Sequence, residues 1–384
     1  MTNLVNQPIE WVDTDDQLEE CCLSWQGKKL LAIDTEFMRS QTYYPKAGLI
    51  QVNDGYVNVL IDPLKISNFK PFADILTDAD TVKALHSCSE DLEVISHLMG
   101  VYPESLFDTQ LAAAFCGYGF SVGYGNLVKL VLNEELPKEE TRSDWLQRPL
   151  SQSQVQYAAM DVEHLYLLAH CLVQELTKLE RLSWVIEESN AIPQLVQANS
   201  EPENSYQRVK SAWKLNQRQL FTLMHLCAWR ENVAKRRNIP RNRVVKEHTL
   251  FDIAQSLPKH ISQLRKLNGL NERTIKIDGQ TLVDIANKAR ELDEALLPPC
   301  LPRPLSGDNK VLLHSMKEEV ENRALELNVA PELLVRKKDY EFILNSSSPE
   351  EKKYRLPEGF SDWRRQVIAD QLIHKLNTMT SESE

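Results

Sequence analysis

No apolar run in this 384-residue chain approaches the roughly 18 residues of a membrane span, and Met1–Trp11 lacks the basic and apolar regions of a signal peptide. Cysteine is sparse and unpatterned. The seven cysteines are scattered without metal-ligand spacing, and Cys21-Cys22 is adjacent rather than Cys-x-x-Cys. An odd, unspaced set argues against a zinc module and against a disulfide framework, and fits free thiols in a reducing cytoplasm. Cys88, Cys116, Cys171 and Cys227 read as core packing. There is no Gly-x-x-x-x-Gly-Lys-Ser/Thr run either, so a conventional ATP site, and with it a nucleotide cofactor, is not expected.

What is present is an ordinary water-soluble composition, 42% hydrophobic and 26% charged, in a 44.1 kDa chain too long for one core. Two or three domains are expected. The net charge of -11 taken alone argues against a nucleic-acid partner, but it is unevenly spread. Residues 1–204 hold 13 basic and 31 acidic side chains, residues 205–295 hold 18 and 9, and residues 296–384 hold 13 and 15. An acidic body with a basic middle module can still attract phosphate, because attraction follows the local field.

Alternation and turn chemistry predict strands over 30–37, 48–53 and 56–62, with Asn53-Asp54-Gly55 as a tight hairpin. A helix over 66–76, a strand at 82–85, a helix from about 88, and a strand ending near Phe107 before the helix of Leu111–Phe115 follow. Residues 117–125 are too glycine-rich for regular structure, and a long helix runs from Ser151 to about Leu182. This order predicts a mixed sheet with helices on its faces. Residues 188–207 read as a polar linker. Two helical modules, 208–295 and 309–375, are separated by an extended connector containing Pro298, Pro299, Pro302 and Pro304, and Thr378–Glu384 should fray.

Four carboxylates stand out. Asp34 and Glu36 end the apolar run Leu30–Ile33, and strand alternation puts both on one face. Two fixed carboxylates repel each other, and a divalent cation relieves that repulsion. Asp91 follows Ser87-Cys88-Ser89-Glu90, which has the form of a capping box with Ser87 as cap. It is then a first-turn acid, favoured beside orphan N–H groups whether or not it has a further role. Asp161 lies mid-helix beside the apolar stripe of Val155, Ala158, Val162 and Leu165, with Tyr157 one turn earlier. Either it is an exposed helix acid, or it needs a partner, of which a metal is the strongest. Carboxylates without a His or Cys set select a hard cation, Mg2+ or Mn2+, and four suffice for two ions serving phosphoryl transfer. Tyr157, with an ordinary pKa near 10, suits orienting a water better than deprotonating it.

These motifs resemble the ribonuclease D family, in the branch of the DEDD 3'-to-5' exonucleases with Tyr in the third motif. They stand here as Ala32-Ile33-Asp34-Thr35-Glu36-Phe37, His86-Ser87-Cys88-Ser89-Glu90-Asp91-Leu92 and Tyr157-Ala158-Ala159-Met160-Asp161. Ser143–Leu150 also resembles the family. The resemblance implies a ribonuclease-H-like α/β catalytic domain with a mixed five-stranded sheet, followed by two small all-α helical bundles. Its divisions fall at 1–204, 205–295 (an HRDC-type domain like that of RecQ-type helicases) and 296–384 (a divergent second copy). It implies that Asp34, Glu36 and Asp161 hold one divalent ion, that Asp34 bridges to a second supported by Asp91, and that Tyr157 serves the attacking water. Phe37 and Met38 would pack near the terminal base. His86 has either a support role or a packing role, and Arg148 is a candidate substrate contact. Asp108 matches no family ligand and reads as structural, with Thr109 opening a helix.

In the middle module, Arg230, Lys235, Arg236, Arg237, Arg241, Arg243 and Lys246 crowd within 17 residues, near Trp213, Phe221, Trp229 and Phe251. They form either a solvated basic face or an RNA grip held largely through phosphates. The expectation is a monomeric, cytoplasmic 3'-to-5' exoribonuclease that trims RNA with a single-stranded 3' end, transfer RNA precursors above all. A proofreading-type DNA exonuclease and a noncatalytic RNA-binding scaffold remain alternatives, since the carboxylates act on phosphate and do not read the 2'-hydroxyl.

Overall fold

The structure, a computed structural model, describes residues 7–136, 140, 143–305, 309–347 and 354–381. Its described elements in chain order begin with β1 (Ile9–Val12), α1 (Asp15–Trp25), β2 (Leu30–Met38), β3 (Lys46–Asn53), β4 (Asn58–Ile61), α2 (Lys70–Leu76) and β5 (Val82–Leu85). α3 (Ser89–Met99), β6 (Leu106–Asp108), α4 (Thr109–Phe115), α5 (Tyr124–Leu132), α6 (Gln152–Lys178) and α7 (Leu182–Ser200) follow. The sheet has six strands in the order β1-β4-β3-β2-β5-β6, not five. The extra one, β1, is four residues long and too short to show alternation, and it is fixed by parallel pairing with β4. β2 pairs antiparallel with β3 and parallel with β5, so the sheet is mixed as expected.

Two compact units emerge. One comprises residues 1–38, 46–193 and 307–384, and the other residues 39–45 and 194–306. The C-terminal helices therefore group with the β-sheet rather than standing apart. Their attachment is aromatic and ionic: Trp363 stacks on Trp184 with centroids 5.0 Å apart, and Arg364 Nη2 donates to Glu188 Oε2 at 3.0 Å.

In the first unit, β2 is central and its Leu31, Ala32 and Ile33 are fully buried. α6 is capped as anticipated, Ser151 accepting from Gln154 N and Gln154 from Ser151 N. It stops at Lys178, short of Leu182, because Glu180 adopts a left-handed φ of 59° that no Gly or Pro announces. The polar segment 188–207 is not an open linker: α7 occupies it to Ser200, and a 3-10 turn spans Pro202–Arg208.

α3 begins at Ser89, and Ser87 is not its cap. Ser87 takes a left-handed φ of 55°, and the N–H groups of Ser87 and Cys88 donate instead to Asp108 Oδ1 at 3.2 Å and Oδ2 at 3.0 Å. Asp108 also caps α4 through Gln110 N at 2.8 Å and Leu111 N at 3.2 Å, which is the structural role its sequence position suggested.

The second unit carries α8 (Gln217–Arg237), α9 (Arg241–Val244), α10 (Glu247–Ser256), α11 (Ile261–Leu264) and α12 (Glu272–Glu291). Its core includes Leu220, Leu223, Leu226, Leu250, Ile253 and Leu282. Loop residues 39–45 belong to this core: Tyr43 is buried in it, and Tyr43 N and Tyr44 N both donate to Asn238 Oδ1 at 3.1 Å. The last described helix spans Asp370–Ser381, reaching into the segment expected to fray from Thr378, and residues 382–384 lie outside the described ones. No helix among the described residues is long and apolar enough to cross a membrane.

Candidate active site

Strand alternation directs Asp34 and Glu36 to one side of β2, and α6 brings Asp161 to meet them. One oxygen from each of the three carboxylates lies within 4.8 Å of the others, the single such group of metal-type side chains among the described residues. Burial and mutual repulsion both oppose their ionisation. Burial first, and the Asp161 charge second, push Asp34 up to about 7. Burial pushes Asp161 up to about 7, against the opposing hydrogen bond from Tyr157. Glu36 rises to about 9 through burial and then the charges of Asp34, Asp161 and Asp91. A trio so disfavoured as bare anions, offering only oxygen, fits a hard divalent cation.

Asp91 stands just outside this trio. It is buried, and Thr35, the residue between the two strand acids, donates its hydroxyl to Asp91 Oδ1 at 2.5 Å. Burial, then the charge of Asp34, raise Asp91 well above the usual carboxylate range. Sequence reasoning passed over Thr35, because its partner comes from a helix 56 residues away.

Tyr157, one turn before Asp161, bonds its carboxylate, and burial with the surrounding acids raises the phenol far above its ordinary range. Its ring lies 6.1 Å from that of Trp145. A cavity of about 140 Å³ is lined by Asp34, His86, Tyr124, Tyr157, Asp161 and Leu165. His86 thus lines the cavity while its Nδ1 sits 3.0 Å from Thr109 Oγ1, and burial lowers its pKa. Tyr124 was missed: it opens α5 at the end of what read as a glycine-rich loop, and its hydroxyl donates to the Asp161 carbonyl.

Phe37 and Met38 continue β2 beyond a bulge, since Glu36 pairs with Leu49 but Phe37 with Ala47, leaving Gly48 extra. A Cβ on Gly48 would come within 2.6 Å of the Trp145 carbonyl, so only glycine lets that segment close on β3. Arg148 belongs to the same clamp. Its Nη2 donates to Asp62 Oδ1 and to Gly48 O, both at 2.6 Å, and Nε donates to Asp62 Oδ2. The groups its guanidinium meets in this structure belong to the fold, although the sequence suggested a substrate contact.

The basic residues of the second unit also divide. Arg237 pairs with Asp278 at 3.0 Å, Lys235 donates to Ser200 O at 2.8 Å, and Arg241 grips Glu231 at 2.6 Å. Arg230 is buried, while Arg236 and Arg243 are exposed. The uniform basic face suggested by their spacing is therefore partly an internal network.

A 3'-5' exonuclease family model matches residues 9–177, and an HRDC domain model matches residues 219–286. The ribonuclease D of Pseudomonas paraeruginosa is 43% identical over 370 residues, covering 96% of this chain and 98% of that one. This chain belongs to the ribonuclease D family. Other members share its extent: the Escherichia coli ribonuclease D is 35% identical, covering 96% of this chain and 98% of its own. The crystal structure of Escherichia coli RNase D, described as an exoribonuclease involved in structured RNA processing, superposes with a TM-score of 0.88 over 97% of this chain and 99% of that one. Among ribonuclease D proteins, then, this chain is a 3'-5' exoribonuclease whose acidic cluster is consistent with divalent-metal use.

Proposed function

We propose that the chain removes nucleotides singly from the single-stranded 3' ends of RNA, transfer RNA precursors above all, releasing 5'-monophosphates with two divalent cations, Mg2+ or Mn2+. The observation that carries this reading is the Asp34-Glu36-Asp161 oxygen cluster opening onto the cavity beside Tyr157. Two cations held there would neutralise the developing charge on the phosphate and lower the pKa of the attacking water. Asp34, Glu36 and Asp161 would hold one ion, with Asp34 bridging to the other and Asp91 supporting it. The raised pKa of Tyr157 keeps its proton on, so its role is to orient the water, not to deprotonate it. Phe37 and Met38 would contact the terminal base, and His86 would line the cleavage pocket. Exposed Arg236 and Arg243 supply phosphate attraction from the helical unit. Seven free thiols suit the reducing cytoplasm, where the chain would work as a monomer, and the proposed hydrolysis calls for no nucleotide cofactor.

The test is mononucleotide release from a 3'-extended transfer RNA precursor with Mg2+ or Mn2+, beside a DNA strand of matched sequence. Metal-dependent release from RNA is expected. A strong preference for DNA, or activity surviving Asp34→Ala, would refute the assignment.

A further inference from the structure

The second unit contains a cavity of about 370 Å³ whose wall includes Arg39, Arg208, Arg230 and Arg241, with Glu247 as its acidic member. Every lining residue belongs to this unit, because Arg39 lies on the 39–45 loop folded into it. Arg39 Nε donates to Tyr43 O at 3.2 Å, and Tyr43 in turn donates its hydroxyl to Glu231. Arg241 lies 4.6 Å from the centre of the Tyr43 ring while its Nε and Nη2 bind Glu231. Arg39 and Arg241 are thus held by a built framework, while Arg208 is an exposed member of the wall.

Arg230 is the anomaly. It is only 5% exposed, yet its Nε has no hydrogen-bond partner among the described residues, and Nη1 reaches Val245 O at 3.5 Å. A guanidinium offers five N–H donors, and burying it with donors unmet is costly. Among the lining residues are four guanidinium groups and one carboxylate, Glu247, and Glu231 binds Arg241 from outside the lining. The excess is positive and concave, with planar donors that match phosphate oxygens two at a time.

We propose that Arg39, Arg208, Arg230 and Arg241 form a pocket that takes a backbone phosphate of the RNA, so that the helical unit grips its substrate at a defined point rather than through a diffuse basic face. The proposal rests on the RNA-processing reading above. The ligand chemistry is a phosphate oxyanion, which a phosphodiester or a free phosphate ion could supply.

Binding of a short 5'-labelled single-stranded RNA, followed by fluorescence anisotropy in EDTA over a series of salt concentrations, tests it in the full chain. Arg39→Gln and Arg208→Gln should each weaken binding roughly tenfold, the scale of one charge-assisted hydrogen bond, and each lower the salt slope by part of the roughly 0.7 that one neutralised phosphate contributes. Arg230→Lys keeps the charge but loses the fork, and should weaken binding with the slope unchanged. Unaltered affinity in all three variants, with wild-type melting temperatures, overturns the pocket. If inorganic phosphate raises the melting temperature of the wild type but not of the variants, while RNA affinity is unchanged, the site takes free anions and the RNA assignment falls. Nucleotide release by the wild type is measured alongside; its failure would sink the exonuclease reading, whereas the anisotropy series decides the pocket on its own.

Discussion

Thr35 donates its hydroxyl to Asp91 Oδ1 at 2.5 Å, tying the strand that carries Asp34 and Glu36 to the first turn of the helix that carries Asp91. A carboxylate buried this deeply has few other ways to be oriented. Thr35→Val removes the donor and keeps the shape. It should cost about 1–3 kcal/mol of stability if Asp91 stays charged, and less if Asp91 protonates. Activity should fall about tenfold or more, with a higher metal concentration needed for half-maximal rate. A denaturation curve and a metal titration read both effects, and wild-type values in both would remove Thr35 from the account.

Tyr157→Phe deletes the hydroxyl that bonds Asp161 and leaves the carboxylates in place. Turnover is expected to drop about 10²-fold, the scale of a lost positioning or acid–base group, with cation binding retained. Calorimetric titration with Mn2+ separates the two. Loss of ion binding together with rate would mean that Tyr157 organises the metal site instead.

The carboxylate cluster makes a signed prediction for pH. In the ion-free protein, Asp34 and Asp161 titrate at about 7 and Glu36 at about 9, above their ordinary values of 3.8 and 4.5. Folded carboxylates with raised pKa bind protons that the unfolded chain has released. Their stabilising contribution is full below about pH 4 and is lost as pH rises through 7 and 9. In EDTA, the melting temperature of wild type relative to Asp34→Asn should therefore fall from pH 5 to pH 9. Mg2+ or Mn2+ should raise the wild-type melting temperature more at pH 8 than at pH 5.5, because the ion displaces those protons. A pH-independent difference between the two proteins would refute the electrostatic account.

Asp108 serves four backbone donors, at Ser87, Cys88, Gln110 and Leu111, and is itself buried. Asp108→Ala should destabilise the chain by about 2–4 kcal/mol, combining a lost helix cap with other orphaned N–H groups. Urea denaturation measures this directly. Asp108→Asn, which keeps acceptors on one side only, should fall between; equal stability of all three proteins would show that water replaces the carboxylate.

Much of this was legible along the chain where the signal is local. Period-two alternation aligned Asp34 with Glu36, and Ser151 with Gln154 marked the start of α6. Asp108 was readable as structural because Asp-Thr is a local helix start. The cap assigned to Ser87 failed for the opposite reason: a local capping pattern lost to a carboxylate 21 residues downstream. Arg148 and Arg237 looked like substrate contacts because a sequence shows charge but not its partner, and Asp62 and Asp278 are 86 and 41 residues away.

By itself the sequence singled out the candidates: an acidic, oxygen-only donor set of four carboxylates on one strand and two helices, and a basic module elsewhere. Periodicity and side-chain type decide those properties before any contact forms. Only the tertiary structure decided which acids share a cluster, that Thr35 holds Asp91, and that Arg230 is buried while Arg236 is exposed. Those outcomes depend on desolvation and on partners distant in the chain, and neither exists until the units fold.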